Sequence, residues 1–211
     1  MSKIVVVDLG TGNLRSVAKA VTHVADNHEV VVSHLPEVML SADKIVLPGQ
    51  GAIGTWMKQL EQEHIREAID TVLKNKPVLG ICLGLQALFT SSTEYENQSC
   101  LDLWPGSVEH FAEHLPAEAQ GLSIPHMGWN NVYQSQAHAL WNGIDDGARF
   151  YFVHSYFAQC ENKQHLVGRC DYGISFTAAA AHENIFAVQF HPEKSQHDGL
   201  KLIENFVNWN I

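Results

Sequence analysis

The chain has 211 residues, of which 45% are hydrophobic, so it can bury one sizeable core and we expect a single domain over residues 1–211. Its formal net charge of -10 gives no electrostatic reason to bind phosphate backbones or anionic lipids. No apolar stretch approaches the roughly 18 residues that span a bilayer, and the start MSKIVVVDLG lacks a signal peptide's apolar core. We therefore expect a cytoplasmic protein with no nucleic-acid or membrane partner.

The first half of the chain alternates short β-branched segments with helical patterns, which is typical of βαβ units in a parallel sheet. In chain order the pattern predicts strand Ile4 to Val7, helix Leu14 to Val24, strand Glu29 to Val32, strand Lys44 to Leu47, helix Thr55 to Leu73, strand Val78 to Ile81 and a helical segment Leu85 to Phe89.

The second half contains short strands separated by turns, which indicates mixed or antiparallel sheet. The predicted strands are Ser107 to Phe111, Asn131 to Gln134, Phe150 to Val153, Leu166 to Asp171, Ile174 to Ala179 and Ile185 to Phe190, and a helix from about His197 to Trp209 ends the chain. The expected fold class is therefore α/β, with a central mixed, mostly parallel sheet flanked by helices.

The segment Gly80-Ile81-Cys82-Leu83-Gly84 follows a predicted strand and precedes a helical segment. This pattern is typical of a nucleophile elbow, in which the nucleophile takes a strained backbone conformation and glycines let strand and helix approach closely. Amide groups at the start of the following helix favour a thiolate over a thiol. Cys82 is therefore a candidate nucleophile, although most cysteines at strand ends are small buried hydrophobic residues.

A candidate base and its orienting group follow the strand Ile185 to Phe190, in the sequence His191-Pro192-Glu193. Pro192 favours an extended backbone at His191, and residues i and i+2 of an extended chain project to the same side. A carboxylate on one imidazole nitrogen leaves the other free to exchange a proton with a sulfur. We predict a Cys-His-Glu triad; the alternative is a histidine that caps a loop.

The turn Leu47-Pro48-Gly49-Gln50-Gly51 ends a third predicted strand. Backbone amides of Gly49, Gln50 and Gly51, together with that of Leu83, could stabilise the oxyanion of a tetrahedral intermediate. A plain turn is the alternative for this segment.

Two other patterns point to different functions. The string His110-Phe111-Ala112-Glu113-His114 matches the zinc-peptidase pattern H-x-x-E-H, but it would need a helix, whereas the preceding residues predict a strand. An elbow cysteine could also be a redox sensor, although such a protein would not need His-Pro-Glu. The four cysteines show no CxxC spacing, so we expect neither a metal nor a cofactor.

With these elements in view, the chain resembles the class I, triad-type, glutamine amidotransferases over essentially its whole length. The segments DLGTGNLRSV, LPGQG, GICLGLQALF, PHMGWN, YFVHSYF and QFHPEKS resemble most closely the glutaminase subunits of imidazole glycerol phosphate synthases, from histidine biosynthesis. The discriminating segments are PHMGWN and YFVHSYF. A glutaminase subunit of a paralogous synthase, for example one of surface-sugar biosynthesis, is the main alternative.

The resemblance implies the three-layer amidotransferase fold and hydrolysis of glutamine to glutamate through a γ-glutamyl thioester on Cys82. It implies a heterodimer in which ammonia passes to a (β/α)₈ cyclase subunit that makes imidazole glycerol phosphate and aminoimidazole carboxamide ribotide. By the same resemblance, the substrate glutamine contacts Gln86, Glu94, His154, Ser155 and Tyr156. The positions that match the partner-facing side are Asn13, Arg15, Trp129 and Lys194.

The chain departs from the family pattern at two places. Gln50 stands where these proteins more often have valine, which could alter how the turn completes an oxyanion hole. The loop from Asn97 to Trp104 lacks the expected glycines, which leaves the geometry of that loop open.

Overall fold

The computed structural model describes residues 2–10, 14–62, 64–95, 97–119 and 121–211. The strands of the described residues, in chain order, are β1 (Lys3–Val7), β2 (Glu29–Ser33), β3 (Lys44–Gly49), β4 (Val78–Cys82), β5 (Phe89–Ser92), β6 (Gln98–Ser99), β7 (Trp104–His110), β8 (His126–Asn131), β9 (Tyr133–Gln134), β10 (Arg149–His154), β11 (Tyr156–Cys160), β12 (Leu166–Asp171), β13 (Ser175–His182) and β14 (Ile185–Val188).

One half of the main sheet is parallel, with the strand order β2-β1-β3-β4-β14. Its inner strands are continuous apolar segments whose residues are almost all buried, because helices cover both faces of a parallel sheet. The order of these strands confirms the βαβ interpretation of the first half.

The sheet continues from β14 as β13-β11-β7-β5-β6, in which all neighbours are antiparallel except β5 and β7. Strand β12 pairs with β13 and β9, and β8 and β10 form a separate antiparallel pair. The mixed α/β class predicted from the sequence is confirmed.

Helices cover both faces of the sheet. They are α1 (Leu14–Val24), α2 (Pro36–Leu40), α3 (Ile53–Leu60), α4 (Ile65–Asn75), α5 (Leu83–Gln86), α6 (Phe111–His114) and α7 (Gln196–Val207), with 3₁₀ turns at Ala117–Ala119, Ala139–Trp141 and Pro192–Lys194. Helices α1 and α7 pack together on one face, and α3 and α4 contact each other on the opposite face. Each face has its own apolar cluster, so the structure has the expected three layers. None of the described helices has the length and apolar character that crossing a membrane requires.

Two expectations about helices were wrong, and one short helix was missed. The stretch Thr55 to Leu73 is two helices, because the spacing of five residues between Leu60 and Ile65 does not continue one apolar face and His64 takes a left-handed φ of 63°. The segment Leu85 to Phe89 contains only the end of α5, because Phe89 begins β5 and packs edge-on against Trp104 of β7. The short helix α2 was not predicted at all.

Several strand boundaries also differ. Strand β7 begins at Trp104 and stops before Phe111, which starts α6, and the predicted strand Asn131 to Gln134 is the end of β8 followed by β9. Strand β14 ends at Val188, two residues before Phe190. The unpredicted strand β11 holds the centre of the antiparallel half by pairing with β7 and β13.

The loop from Asn97 to Trp104, which lacks the expected glycines, changes direction at residues that are not glycine. Asn97 and Asp102 take left-handed φ values of 68° and 54°, and Tyr95 just before them takes 53°. Asparagine and aspartate tolerate this region better than other side chains do, so the loop forms without glycine.

Gly84 allows α5 to lie against β3. A Cβ atom built on Gly84 would stand 1.9 Å from the carbonyl oxygen of Leu47, which is backbone and cannot move aside easily. We expect Gly84→Ala to lower the free energy of unfolding by about 1–3 kcal/mol, measured by urea denaturation. Gly121→Ala is the matched control, because a Cβ there meets nothing within 4 Å. Equal stabilities of the two variants would contradict this account.

Candidate active site

Cys82 occupies the turn between β4 and α5 with φ 57° and ψ -104°, a backbone conformation that residues other than glycine rarely adopt. The flanking glycines make the turn possible: a Cβ on Gly80 would lie 2.6 Å from the carbonyl oxygen of Gly84. The strand and the sharp turn predicted for this segment are confirmed, whereas the helix that follows begins at Leu83 and is not the predicted Leu85 to Phe89. The backbone thus fixes where the sulfur lies, and the residue is 6% exposed.

His191 and Glu193 form a buried pair. The Nδ1 atom of His191 lies 2.8 Å from Oε1 of Glu193, and the two side chains are 2% and 0% exposed. The contact was predicted, but from the wrong backbone: Glu193 lies in the 3₁₀ turn Pro192–Lys194 and not in an extended segment. Because Nδ1 faces a carboxylate, it carries the proton, and Nε2 is the atom available for proton exchange.

Ser195 fixes the backbone around His191, a role that the sequence did not suggest. Its hydroxyl donates to the carbonyl oxygen of His191 at 2.6 Å and accepts from the amide of Tyr151 at 2.9 Å. The amide of His191 in turn donates to the carbonyl oxygen of Tyr151 at 2.8 Å. These bonds tie the 3₁₀ turn to strand β10.

Cys82 and His191 face the same cavity, whose volume is about 220 Å³. Burial by itself lowers the pKa of His191, but the neighbouring Cys82 sulfur and the Glu193 carboxylate outweigh it and raise that pKa to about 10. Because both neighbours favour the charged ring, an imidazolium can persist beside the sulfur.

The predicted oxyanion residues surround the nucleophile. Gln50, Gly51 and Leu83 line the cavity, and Gly51 has a φ of 90°. Gly49 lies beside Cys82 in the parallel register of β3 and β4, and a Cβ on Gly49 would stand 2.5 Å from Nε1 of Trp56. The turn therefore lies directly against the elbow, on the edge where β3 and β4 end.

The five positions predicted for glutamine also meet here, because Gln86, Glu94, His154, Ser155 and Tyr156 all line the same cavity. Glu94 is partly committed, since its Oε2 accepts the amide of Ile53 at 2.8 Å at the start of α3. Glu94 nevertheless brings a carboxylate to the cavity wall. Ser155 and Tyr156 lie where β10 gives way to β11, so the unpredicted strand β11 begins at the cavity wall.

Two buried histidines support the wall of the cavity, and the hydrogen bonds that join them can run in only one direction. Nδ1 of His154 donates to the carbonyl oxygen of Tyr156 at 2.8 Å, so its Nε2 accepts, 3.0 Å away, from Nδ1 of His126. Nε2 of His126 then accepts from Nδ2 of Asn130 at 3.2 Å. Burial lowers the pKa of His126 to about 4 and that of His154 to about 3, so both rings are neutral near pH 7.

Gln189 is a further site residue that the sequence reasoning missed. It is fully buried, its Oε1 accepts from Nε2 of Gln86 at 2.9 Å, and its Nε2 lies 3.6 Å from the sulfur of Cys82. Only the register of the sheet reveals its position: Val188 pairs with Ile81, so Gln189 and Cys82, which follow them, stand at the same sheet edge.

Three of the four positions predicted to face a partner lie within the described residues. Trp129 is 38% exposed and packs edge-on with Tyr151, whose ring lies 5.8 Å from the ammonium group of Lys194. Arg15 is exposed on α1, a helix that contacts the turn carrying Lys194. Asn13 lies outside the described residues.

The zinc-peptidase string does not bring its two histidines together among the described residues. His110 ends β7, and its ring contacts the Tyr156 ring edge-on. His114 lies near Glu109 and Glu113 at the surface. The predicted strand at His110 explains why the helical spacing that the motif needs is absent.

The sequence model of the family described as Glutamine amidotransferase class-I matches residues 5–209. The chain therefore belongs to the class-I glutamine amidotransferases. Solved structures show the same fold: one glutamine amidotransferase has a TM-score of 0.72 at 16% identity, covering 97% of each chain. Another, from Thermotoga maritima, has a TM-score of 0.60 at 15% identity, covering 91% of this chain and 76% of that one.

Relatives with about half of their residues identical place the chain in a narrower group within this family. A protein of Thiobacillus denitrificans is 51% identical over 98% of this chain and 91% of its own length. One of Dechloromonas aromatica is 50% identical over 98% and 96%. Both carry the name imidazole glycerol phosphate synthase subunit HisH, so within the class-I amidotransferases the chain belongs with the HisH subunits.

The neutral histidines make stability depend on pH. The folded pKa of His126 lies below its unfolded value of about 6.5, so the unfolded chain takes up the proton first and stability falls as pH drops from about 6.5 towards 4. We expect His126→Gln to flatten that fall by up to about 1.4 kcal/mol per pH unit, measured by urea denaturation between about pH 6 and pH 5. His23→Gln, at an exposed position of α1, is the matched control. An equal loss of slope in both variants would contradict the prediction.

Proposed function

We propose that this chain hydrolyses glutamine to glutamate and ammonia as a single domain, with Cys82 as nucleophile, His191 as acid and base, and Glu193 as the group that orients His191. The observation that carries this proposal is the buried 2.8 Å contact between His191 and Glu193, together with the cavity that His191 and Cys82 both line. A raised pKa at His191 favours an imidazolium and thiolate pair in the resting site.

The reaction begins when the Cys82 sulfur attacks the carboxamide carbon of glutamine, and the resulting oxyanion faces the amides of Leu83 and the Gly49–Gly51 turn. Nε2 of His191 gives its proton to the departing nitrogen, the C–N bond breaks, and ammonia leaves a γ-glutamyl thioester. His191 then takes a proton from water, whose oxygen attacks the thioester carbon. The C–S bond breaks, glutamate is released and the thiolate returns beside the imidazolium.

The residues around the cavity suit the α-amino acid end of glutamine. The carboxylate of Glu94 presents a negative charge for the ammonium group, while Gln86, His154, Ser155 and Tyr156 provide neutral walls. Because His154, and His126 behind it, stay uncharged near pH 7, this part of the wall adds no cation that would compete with the substrate for Glu94.

Replacing the sulfur tests the mechanism directly. We expect Cys82→Ala to lower glutaminase activity at least about 1000-fold, because no other group at the elbow can form a thioester. The fold should persist, since the change removes one atom at the cavity surface. Cys160→Ala is the matched control, because this half-buried cysteine lies on β11 outside the cavity. Release of ammonia from glutamine by Cys82→Ala at the parent rate would refute the proposal.

We further infer that the ammonia passes to a (β/α)₈ cyclase subunit in a heterodimer of histidine biosynthesis, which makes imidazole glycerol phosphate and aminoimidazole carboxamide ribotide. The relatives carry the name of this synthase's subunit, which supports the inference. The cysteines are free thiols, in keeping with the reducing cytoplasm that we propose as the location.

An exposed group of side chains supports a docking surface for that partner. Met127 and Trp129 are alternate residues of β8 with exposed fractions of 63% and 38%. Tyr151 lies beside Trp129, and the ammonium group of Lys194 lies over the Tyr151 ring. Large exposed apolar side chains next to a cation are typical of the centre of an interface. The turn that holds Lys194 also holds Glu193, so this surface lies directly behind the triad.

Titration with the cyclase subunit tests this surface. We expect the subunit and its ligand to raise the glutaminase rate of the isolated chain, and Trp129→Ala to raise the half-saturating concentration at least about tenfold, as for an aromatic interface residue. Tyr133→Ala, at a similarly exposed aromatic position on β9, is the control. An unchanged half-saturating concentration for Trp129→Ala, or no stimulation of the parent chain, would contradict the inference.

A further inference from the structure

Gln189 is a polar residue with no exposed surface, and it sits at the edge of the sheet where the nucleophile lies. It directly follows β14, and the parallel pair Val188 and Ile81 places Gln189 next to Cys82. Its backbone is fixed, because its amide donates to the carbonyl oxygen of Ala178 at 2.8 Å. Its side-chain nitrogen lies 3.6 Å from the Cys82 sulfur.

The direction of the Gln189 side chain follows from its neighbours. The carbonyl oxygen of Tyr156 can only accept, so the side-chain nitrogen of Gln86, 3.0 Å away, must face it. That same nitrogen lies 2.9 Å from the Gln189 side chain and has a second proton to donate. Gln189 must therefore present its oxygen to Gln86, which turns its own NH₂ group towards the sulfur. The reversed amide would set two NH₂ groups against each other.

We propose that Gln189 donates an N–H to the Cys82 thiolate and so acts as a thiolate-binding residue of the glutaminase site. This inference rests on the proposed role of Cys82 as nucleophile. The bond is present when the sulfur is negatively charged, in the resting site and again when the thioester breaks down. Hydrogen bonds to a charged acceptor are stronger than neutral ones, so the loss of this bond should move the pH dependence of alkylation at Cys82 to higher pH.

Other titratable groups also face the sulfur. His191 approaches it from the turn that follows β14, Glu193 lies behind that imidazole, and Glu94, His154 and Tyr156 line the rest of the cavity. Changing Gln189 leaves all of these groups in place. A shift in the pH profile of Cys82 in such a variant therefore reports the lost N–H donor.

The test is the rate of alkylation of the intact chain by iodoacetamide from about pH 5 to pH 10, with labelling of the Cys82 peptide read by mass spectrometry. We expect Gln189→Met, which is similar in size but has no donor, to raise the midpoint of the pH profile by about one unit or more. Gln159→Met, at an exposed position of β11, is the matched control and should keep the parent midpoint. An unchanged midpoint in folded Gln189→Met would overturn the proposal.

A second variant covers the case in which Gln189→Met does not fold, as judged by its thermal melt. Gln189→Leu is smaller than Gln189→Met, carries no charge and likewise has no N–H to donate to the sulfur. Its midpoint should rise as well, and a midpoint equal to the parent's would overturn the proposal. Alkylation needs no glutamine, so this result is independent of the Cys82→Ala experiment that tests glutamine hydrolysis.

Discussion

The parallel register of β3, β4 and β14 is the constraint on which the rest of the site depends. These strands are neighbours and run in the same direction, so their carboxyl ends meet at one edge of the sheet. Ligand sites form at such edges because each strand ends in a loop whose side chains face the same space. Here the three loops bring the Gly49–Gly51 turn, Cys82 and the segment from Gln189 to Glu193 together, although Cys82 and Gln189 are 107 residues apart in sequence.

Holding Cys82 at this edge costs conformational energy, which the packing around it offsets. A residue with a side chain at φ 57° is strained by about 1–3 kcal/mol. The turn persists because β4 is buried between β3 and β14 and α5 lies so close to β3 that residue 84 can only be glycine. The strain and the close packing therefore have one origin, and together they fix the sulfur before any substrate arrives.

The chemistry-bearing residues could be predicted because each carried a local pattern next to a strand. Cys82 stood between spaced glycines, and His191 and Glu193 stood two residues apart around a proline. The pocket positions came from the family resemblance, and they line one cavity. The contact between His191 and Glu193 shows the limit of this reasoning, since the chain reaches it through a 3₁₀ turn and not through extended backbone.

What the sequence could not show depends on contacts between distant residues. Strand β11 has no clear alternation of polar and apolar residues and exists because β7 and β13 pair with it. Gln189 looks like any polar residue after a strand until the register places it beside Cys82. Likewise, the pattern from Thr55 to Leu73 contains two apolar faces that pack on the same side of the sheet, and periodicity alone did not reveal the break at His64.

The carbonyl oxygen of Tyr156 joins the two halves of the site. It accepts from Nδ1 of His154 on one side and from Nε2 of Gln86 on the other, which fills both of its lone pairs. From there one chain of directed hydrogen bonds leads through His126 to strand β8, which carries Trp129, and the other leads through Gln189 to the sulfur. Since the acceptor cannot reverse, every donor along both chains has one allowed direction. The neutral amides of Gln86 and Gln189 and two neutral imidazoles thus hold the cavity wall and the nucleophile in one frame. Protonation of either ring would require a member of that frame to lose its partner.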